Sequence, residues 1–192
     1  LSTRICIFLL NILGWKTNLS FPNYLPRYIV LVAPHTSGWD VIIGALYRTA
    51  LKMGDCKFLG KAELFKPPFG FVFRRMGGIP VERSNNHNLV EQVINLFNSE
   101  KLFKLALSPE GTRKKANRLK TGFYYMAKGA NAPLVMAGLD FKNKRLIVSE
   151  PFFTTDNEQN DFKKIIEFFA PIEGKIPENG MMHLLANNDT ND

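Results

Sequence analysis

Cysteine is scarce in this chain: Cys6 and Cys56 are the only two, and they form no Cys-x-x-Cys pattern. Neither a disulfide framework nor a zinc site is suggested, and reduced, cytoplasmic chemistry is the default expectation. Long hydrophobic runs are missing too. The longest, Ile5 to Trp15, is interrupted by Asn11 and falls short of the roughly 20 residues that span a bilayer. No Gly-x-Ser-x-Gly elbow and no Gly-x-x-x-x-Gly-Lys-Ser/Thr loop occurs, which argues against an α/β-hydrolase and a P-loop enzyme. Nor are Lys and Arg interleaved with aromatics in any run, so nucleic acid is not an expected partner.

What is there suits a folded enzyme of one domain. In 192 residues, 45% are apolar, enough for a substantial core. Sixteen Phe residues supply large buried areas and are also the side chains that line sites for acyl chains. The formal charge of +8 implies an anionic partner, either an anionic membrane surface or a phosphorylated small molecule once nucleic acid is set aside.

Along the chain, the Ile5–Trp15 run reads as a helix with a narrow polar stripe, since Arg4, Asn11 and Asn18 fall within about 40° of one another on a helical wheel. Such a helix needs burial or a lipid interface. Tyr28 to Ala33 reads as a buried strand and Gly38 to Met53 as a helix, with short strands at Lys57–Leu59 and from about Gly78. Leu89, Val93, Leu96 and Phe97 repeat at helical spacing. Lys104–Leu107, Ala132–Ala137 and Arg145–Val148 read as further strands, and Thr121–Ala130 and Asp161–Ala170 as helices. The alternation predicts an α/β fold: one domain with a mixed central sheet flanked by helices.

Two polar loops follow apolar strands. The first is Pro34-His35-Thr36-Ser37-Gly38-Trp39-Asp40. Ser37-x-x-Asp40 before a long apolar segment has the pattern of a capping box, leaving His35 on irregular backbone at the lip of the helix. On a continuous helix, residues five apart would point about 140° away from each other and could not meet. From a loop, His35 can reach Asp40 with one ring nitrogen and turn the other toward a cleft, as a general base with an orienting acid. The second loop, Ser108-Pro109-Glu110-Gly111-Thr112-Arg113, leaves its strand in the same way. Ligand sites in open α/β sheets form at such strand ends, so the two loops are expected to share a cleft.

These blocks resemble the glycerophospholipid acyltransferases typified by bacterial 1-acylglycerol-3-phosphate acyltransferases, and the chain looks like a short single-domain bacterial type. His35 to Asp40 is similar to the family's His-x4-Asp block, Gly78 to Arg83 to its second block, Pro109 to Arg113 to its Pro-Glu-Gly-Thr-Arg block, and Ala132-Pro133-Leu134-Val135 to its apolar fourth block. The fourth block departs from the pattern, with Met136-Ala137 where a second proline is common. The resemblance implies transfer of an acyl group from acyl-CoA or acyl-carrier protein to a hydroxyl of a lysophospholipid or glycerol phosphate. It makes His35 the base and Asp40 its partner. It assigns the acceptor phosphate to Arg83 and Arg113, with Glu110, Gly111 and Thr112 shaping the loop, and it implies no cofactor beyond the thioester co-substrate; Lys61 is the alternative position for that phosphate. A basic lipid-binding module without turnover and a thioesterase are the alternatives. The expected layout is an N-terminal apolar helix over residues 1–20 with interfacial membrane contact, an acyltransferase domain over 21–186 and a polar tail over 187–192. The expected location is cytoplasmic and peripherally membrane-associated.

Overall fold

The computed structural model describes residues 2–18, 21–68, 70–81 and 86–188. In chain order they form α1 (Thr3–Ile12), β1 (Arg27–Ala33), α2 (Trp39–Ala50), β2 (Cys56–Lys61), α3 (Gly70–Arg75), β3 (Gly78–Val81), α4 (Asn86–Ser99), β4 (Phe103–Leu107), α5 (Gly122–Gly129), β5 (Leu134–Asp140), β6 (Arg145–Val148), α6 (Glu158–Phe169) and α7 (His183–Asn188), with single 3-10 turns at Ala62–Phe65 and Pro177–Asn179.

The strands make one sheet in the order β3-β2-β4-β1-β5-β6. Every neighbouring pair is parallel except β5 and β6, so the sheet is mixed and helix-flanked, as expected from the alternation of elements. β1 is central, hydrogen-bonded to β4 on one side and β5 on the other. That position explains its nearly unbroken run of apolar residues, because a parallel strand covered on both faces has no solvent side to mark with polar residues. Ile29, Leu31 and Ala33 join the core that holds Phe97 of α4, Phe123 of α5, and Ile165 and Phe169 of α6. Tyr28 and Val30 belong to the opposite core with Val135 and Ala137.

A third cluster joins α1 to α2 through Leu10, Trp15, Ile43, Tyr47 and Leu139. Trp15 stands edge-on to Phe141 at 4.9 Å and to Tyr47 at 5.9 Å between ring centres, the orientation that aromatic quadrupoles prefer. The apolar N-terminal helix thus divides its faces: Cys6 and Leu10 are buried, while Ile5, Phe8 and Ile12 remain exposed along an outward stripe. No helix among the described residues is long and apolar enough to cross a membrane. Removing residues up to 18 is expected to cost about 3–6 kcal/mol, from ~1.5–3 kcal/mol for each of Leu10 and Trp15. Thermal denaturation of the shortened chain checks this, and an unchanged midpoint would mean that α1 contributes nothing to the core.

Element ends shift where local chemistry intervenes. α6 starts at Glu158 rather than Asp161 because the Asn157 side chain caps it, accepting the Asn160 N–H at 3.0 Å. α7 continues through Asn188, two residues into the segment expected to be tail. Residues 189–192 lie outside the described residues, as do Leu1, Leu19 and Ser20 of the N-terminal segment.

Candidate active site

Because β1 and β4 are parallel neighbours with Leu31 opposite Leu107, the segments that leave them start side by side at the carboxyl edge of the sheet. His35 and Glu110 are therefore close although 75 residues separate them: the Glu110 Oε2 accepts the backbone N–H of His35 at 2.6 Å. Asp40, in the first turn of α2, is buried. Its Oδ2 accepts the N–H groups of Thr36 at 2.7 Å and Ser37 at 2.8 Å and lies 3.1 Å from Nδ1 of His35. That contact places the ring proton on Nδ1 and leaves the Nε2 lone pair facing outward. Arg113 donates from Nε to this Nε2 at 3.3 Å.

The capping box forms only in part. The Asp40 carboxylate reaches back to the Ser37 N–H as expected, but the Ser37 hydroxyl accepts the Trp39 N–H at 3.0 Å instead of that of Asp40. The helix begins one residue late, at Trp39. Asp40 therefore ties the loop from within, holding two backbone donors and the imidazole with one oxygen.

Glu110 is almost fully buried. Burial is the largest influence on its carboxyl and pushes it up from 4.5 to about 7, with the nearby Asp40 charge adding to the rise and the His35 backbone N–H and ring opposing it. A carboxyl with a raised folded-state value binds its proton more tightly when folded, so its contribution to stability is fully present below about 4.5 and is lost as pH rises to about 7. The loss should be on the order of 3 kcal/mol. Glu110→Gln keeps an oxygen for the His35 N–H and removes the titration. Its melting temperature should therefore decline less than that of the natural protein between these pH values; parallel slopes would contradict this assignment.

The rest of the second loop turns at Gly111 and Thr112. Gly111 has φ of 67°, and a Cβ there would come within 3.2 Å of the Lys120 side chain. Both conditions favour glycine. Thr112 turns its hydroxyl to its own loop, accepting the Lys114 N–H at 3.2 Å. Lys61 ends β2 and is exposed; β4 lies between that strand and β1. Lys61 makes no side-chain hydrogen bond or ion pair among the described residues and is not brought into contact with His35. Arg83 lies outside the described residues.

Sequence reasoning missed a third segment at this site. Thr36 is buried, and its Oγ1 accepts the Ile176 N–H at 3.2 Å. A Cβ on Gly174 would come within 2.7 Å of the Thr36 side chain and 3.2 Å of Pro34, so only a glycine lets this strap lie flat on the His35 loop. A lone glycine between Glu173 and Lys175 carries no periodic signal that could have marked it.

A mixed sheet with an acid-oriented histidine and a guanidinium at its carboxyl edge makes a candidate active site of an α/β protein. The acyltransferase family model matches residues 16–139, and the chain belongs to that family. The match includes every candidate residue above from His35 to Arg113. Among solved structures, the chain is similar to the 1-acyl-sn-glycerophosphate acyltransferase PlsC of Thermotoga maritima, at a TM-score of 0.55 and 19% identity over 96% of this chain and 78% of that one. No curated protein matches.

Proposed function

We propose that this acyltransferase moves a fatty acyl group from acyl-CoA or acyl-carrier protein to a hydroxyl of a lysophospholipid or glycerol phosphate, directly, with His35 as general base. The observation that carries the proposal is the His35 ring itself, anchored through Nδ1 on Asp40 and presenting Nε2 beside Arg113. His35 Nε2 takes the proton of the acceptor hydroxyl as that oxygen attacks the thioester carbonyl. Asp40 stabilises the imidazolium that results, and the departing thiolate takes the proton back. Arg113 suits the acceptor phosphate because its planar fork matches phosphate oxygens; Arg83 is proposed to share that role, and Lys61 is the alternative cation. The chemistry in the name of the Thermotoga protein supports the same acceptor class. The outward stripe of Ile5, Phe8 and Ile12 on a chain of charge +8 supports peripheral contact with an anionic membrane.

Incubation with acyl-CoA and a panel of lysolipids, following free CoA and resolving products by mass spectrometry, tests the proposal. Acylated lipid is expected. CoA release with free fatty acid alone would indicate a thioesterase, and no release a binding module.

No acyl-enzyme should form. The Ser37 hydroxyl is engaged with the Trp39 N–H. Cys56 is buried at the start of β2, the opposite edge of the sheet from His35, and burial pushes its thiol up to about 12, far from the thiolate that nucleophilic catalysis needs. Kinetics are expected to be sequential, and Ser37→Ala should lose at most about 0.5–2 kcal/mol of stability. Radiolabelled acyl-CoA mixed with enzyme in the absence of acceptor should leave no label on denatured protein. Stoichiometric label on Ser37 or Cys56 that chases into product would overturn direct transfer.

A further inference from the structure

Arg113 does more than recognise phosphate: we infer that its guanidinium holds the base closed until a phosphate group draws it away. The inference rests on His35 being the base. With Nδ1 donating to Asp40, the only lone pair left on the ring is at Nε2, and the Arg113 Nε–H already points at it, 3.3 Å away. An sp² nitrogen offers one lone pair, so the ring cannot accept the Arg113 N–H and the acceptor hydroxyl together. The same exclusion operates on the arginine. A bidentate phosphate contact through its edge uses Nε and one Nη, and Nε carries a single hydrogen. When Arg113 forks a phosphate in this way, Nε2 is freed.

The balance favours release. The contact is long for a hydrogen bond and its acceptor is neutral, whereas phosphate oxygens are charged and accept from guanidinium more strongly. Arg113 is exposed and has no other hydrogen bond among the described residues, so its remaining donors are available to an incoming anion and nothing else in that set ties the side chain down.

This makes Arg113 a specificity-determining residue in a second sense. Water and phosphate-free alcohols reach a base whose lone pair is occupied, while a phosphorylated acceptor opens it on arrival. The suppressed reaction is hydrolysis. There, water would give its proton to Nε2, its oxygen would bond to the thioester carbonyl carbon, and the C–S bond would break. The thiolate would leave and recover the proton from the imidazolium, giving fatty acid and free thiol.

The consequence is a reversal of sign that a supporting role would not produce. Arg113→Met should be slower with a phosphorylated acceptor, yet hydrolyse acyl-CoA about 2- to 10-fold faster than the natural protein, the range of one net hydrogen bond. Inorganic phosphate added in a phosphate-free buffer should raise hydrolysis by the natural protein and leave Arg113→Met unchanged. A readout independent of turnover is the rate at which diethylpyrocarbonate modifies His35, followed peptide by peptide by mass spectrometry. It should rise in Arg113→Met and, in the natural protein, on adding inorganic phosphate. Equal modification rates in the two proteins, or hydrolysis that falls in Arg113→Met, overturn the gate. Faster modification with no acyl transfer to any acceptor would leave the gate standing and defeat the proposed function instead.

Discussion

His35→Ala is expected to lower acyl transfer by about 10²- to 10⁴-fold, the range lost when a general base is removed, in a protein that stays folded and still binds its thioester donor. Folding should survive because the connection between the two loops runs through the backbone: the His35 N–H, which alanine retains, is the donor to Glu110. The Asp40 oxygen likewise keeps the Thr36 and Ser37 N–H groups when the imidazole is gone. Asp40→Asn separates orientation from charge. An amide oxygen can replace Oδ2 against all three donors, so the loop should keep its shape, but the charge that stabilises an imidazolium is lost and the rate should fall. Steady-state kinetics together with circular dichroism and isothermal titration with acyl-CoA check both variants. Near-normal turnover by folded His35→Ala protein would exclude His35 as the base.

The second large effect concerns acceptor choice. A charge-assisted contact is worth about 1.5–3 kcal/mol, so Arg113→Ala should reduce the preference for a phosphorylated over an unphosphorylated acceptor by about 10- to 150-fold in kcat/KM. Two features make Arg113 the stronger choice over Lys61. It reaches the lone pair of His35 directly, whereas Lys61 lies beyond β4 with no side-chain partner among the described residues. Its planar fork also matches phosphate oxygens, where an ammonium is a point charge. Competition between a lysophospholipid and its dephosphorylated counterpart in one reaction measures the preference directly. An unaltered ratio would move the phosphate to another cation, with Lys61→Ala the next variant to test.

Much of this molecule is written in short-range patterns. The strand around Tyr28–Ala33, the helix after Trp39 and the amphipathic segment around Val93 and Phe97 follow from periodicity, since each buries a face that its own residues define. His35, Glu110, Gly111 and Arg113 were legible as candidates because they stand on loops that follow apolar strands, and Asp40 because it opens the helix after the first of those loops. In a parallel sheet such loops come together at one edge. Periodicity says nothing about contacts made across the sheet or by irregular backbone. Only the tertiary structure pairs Leu31 with Leu107 and so puts Glu110 on the His35 N–H, or lays Gly174 and Ile176 against Thr36. The same is true of α1: its sequence requires an apolar surrounding on most sides, and packing against α2 decided that Leu10 faces core and Phe8 faces outward. Local sequence specifies which backbone and which face a segment offers. Which distant segment meets that face depends on strand order and side-chain fit, and those are properties of the assembled chain.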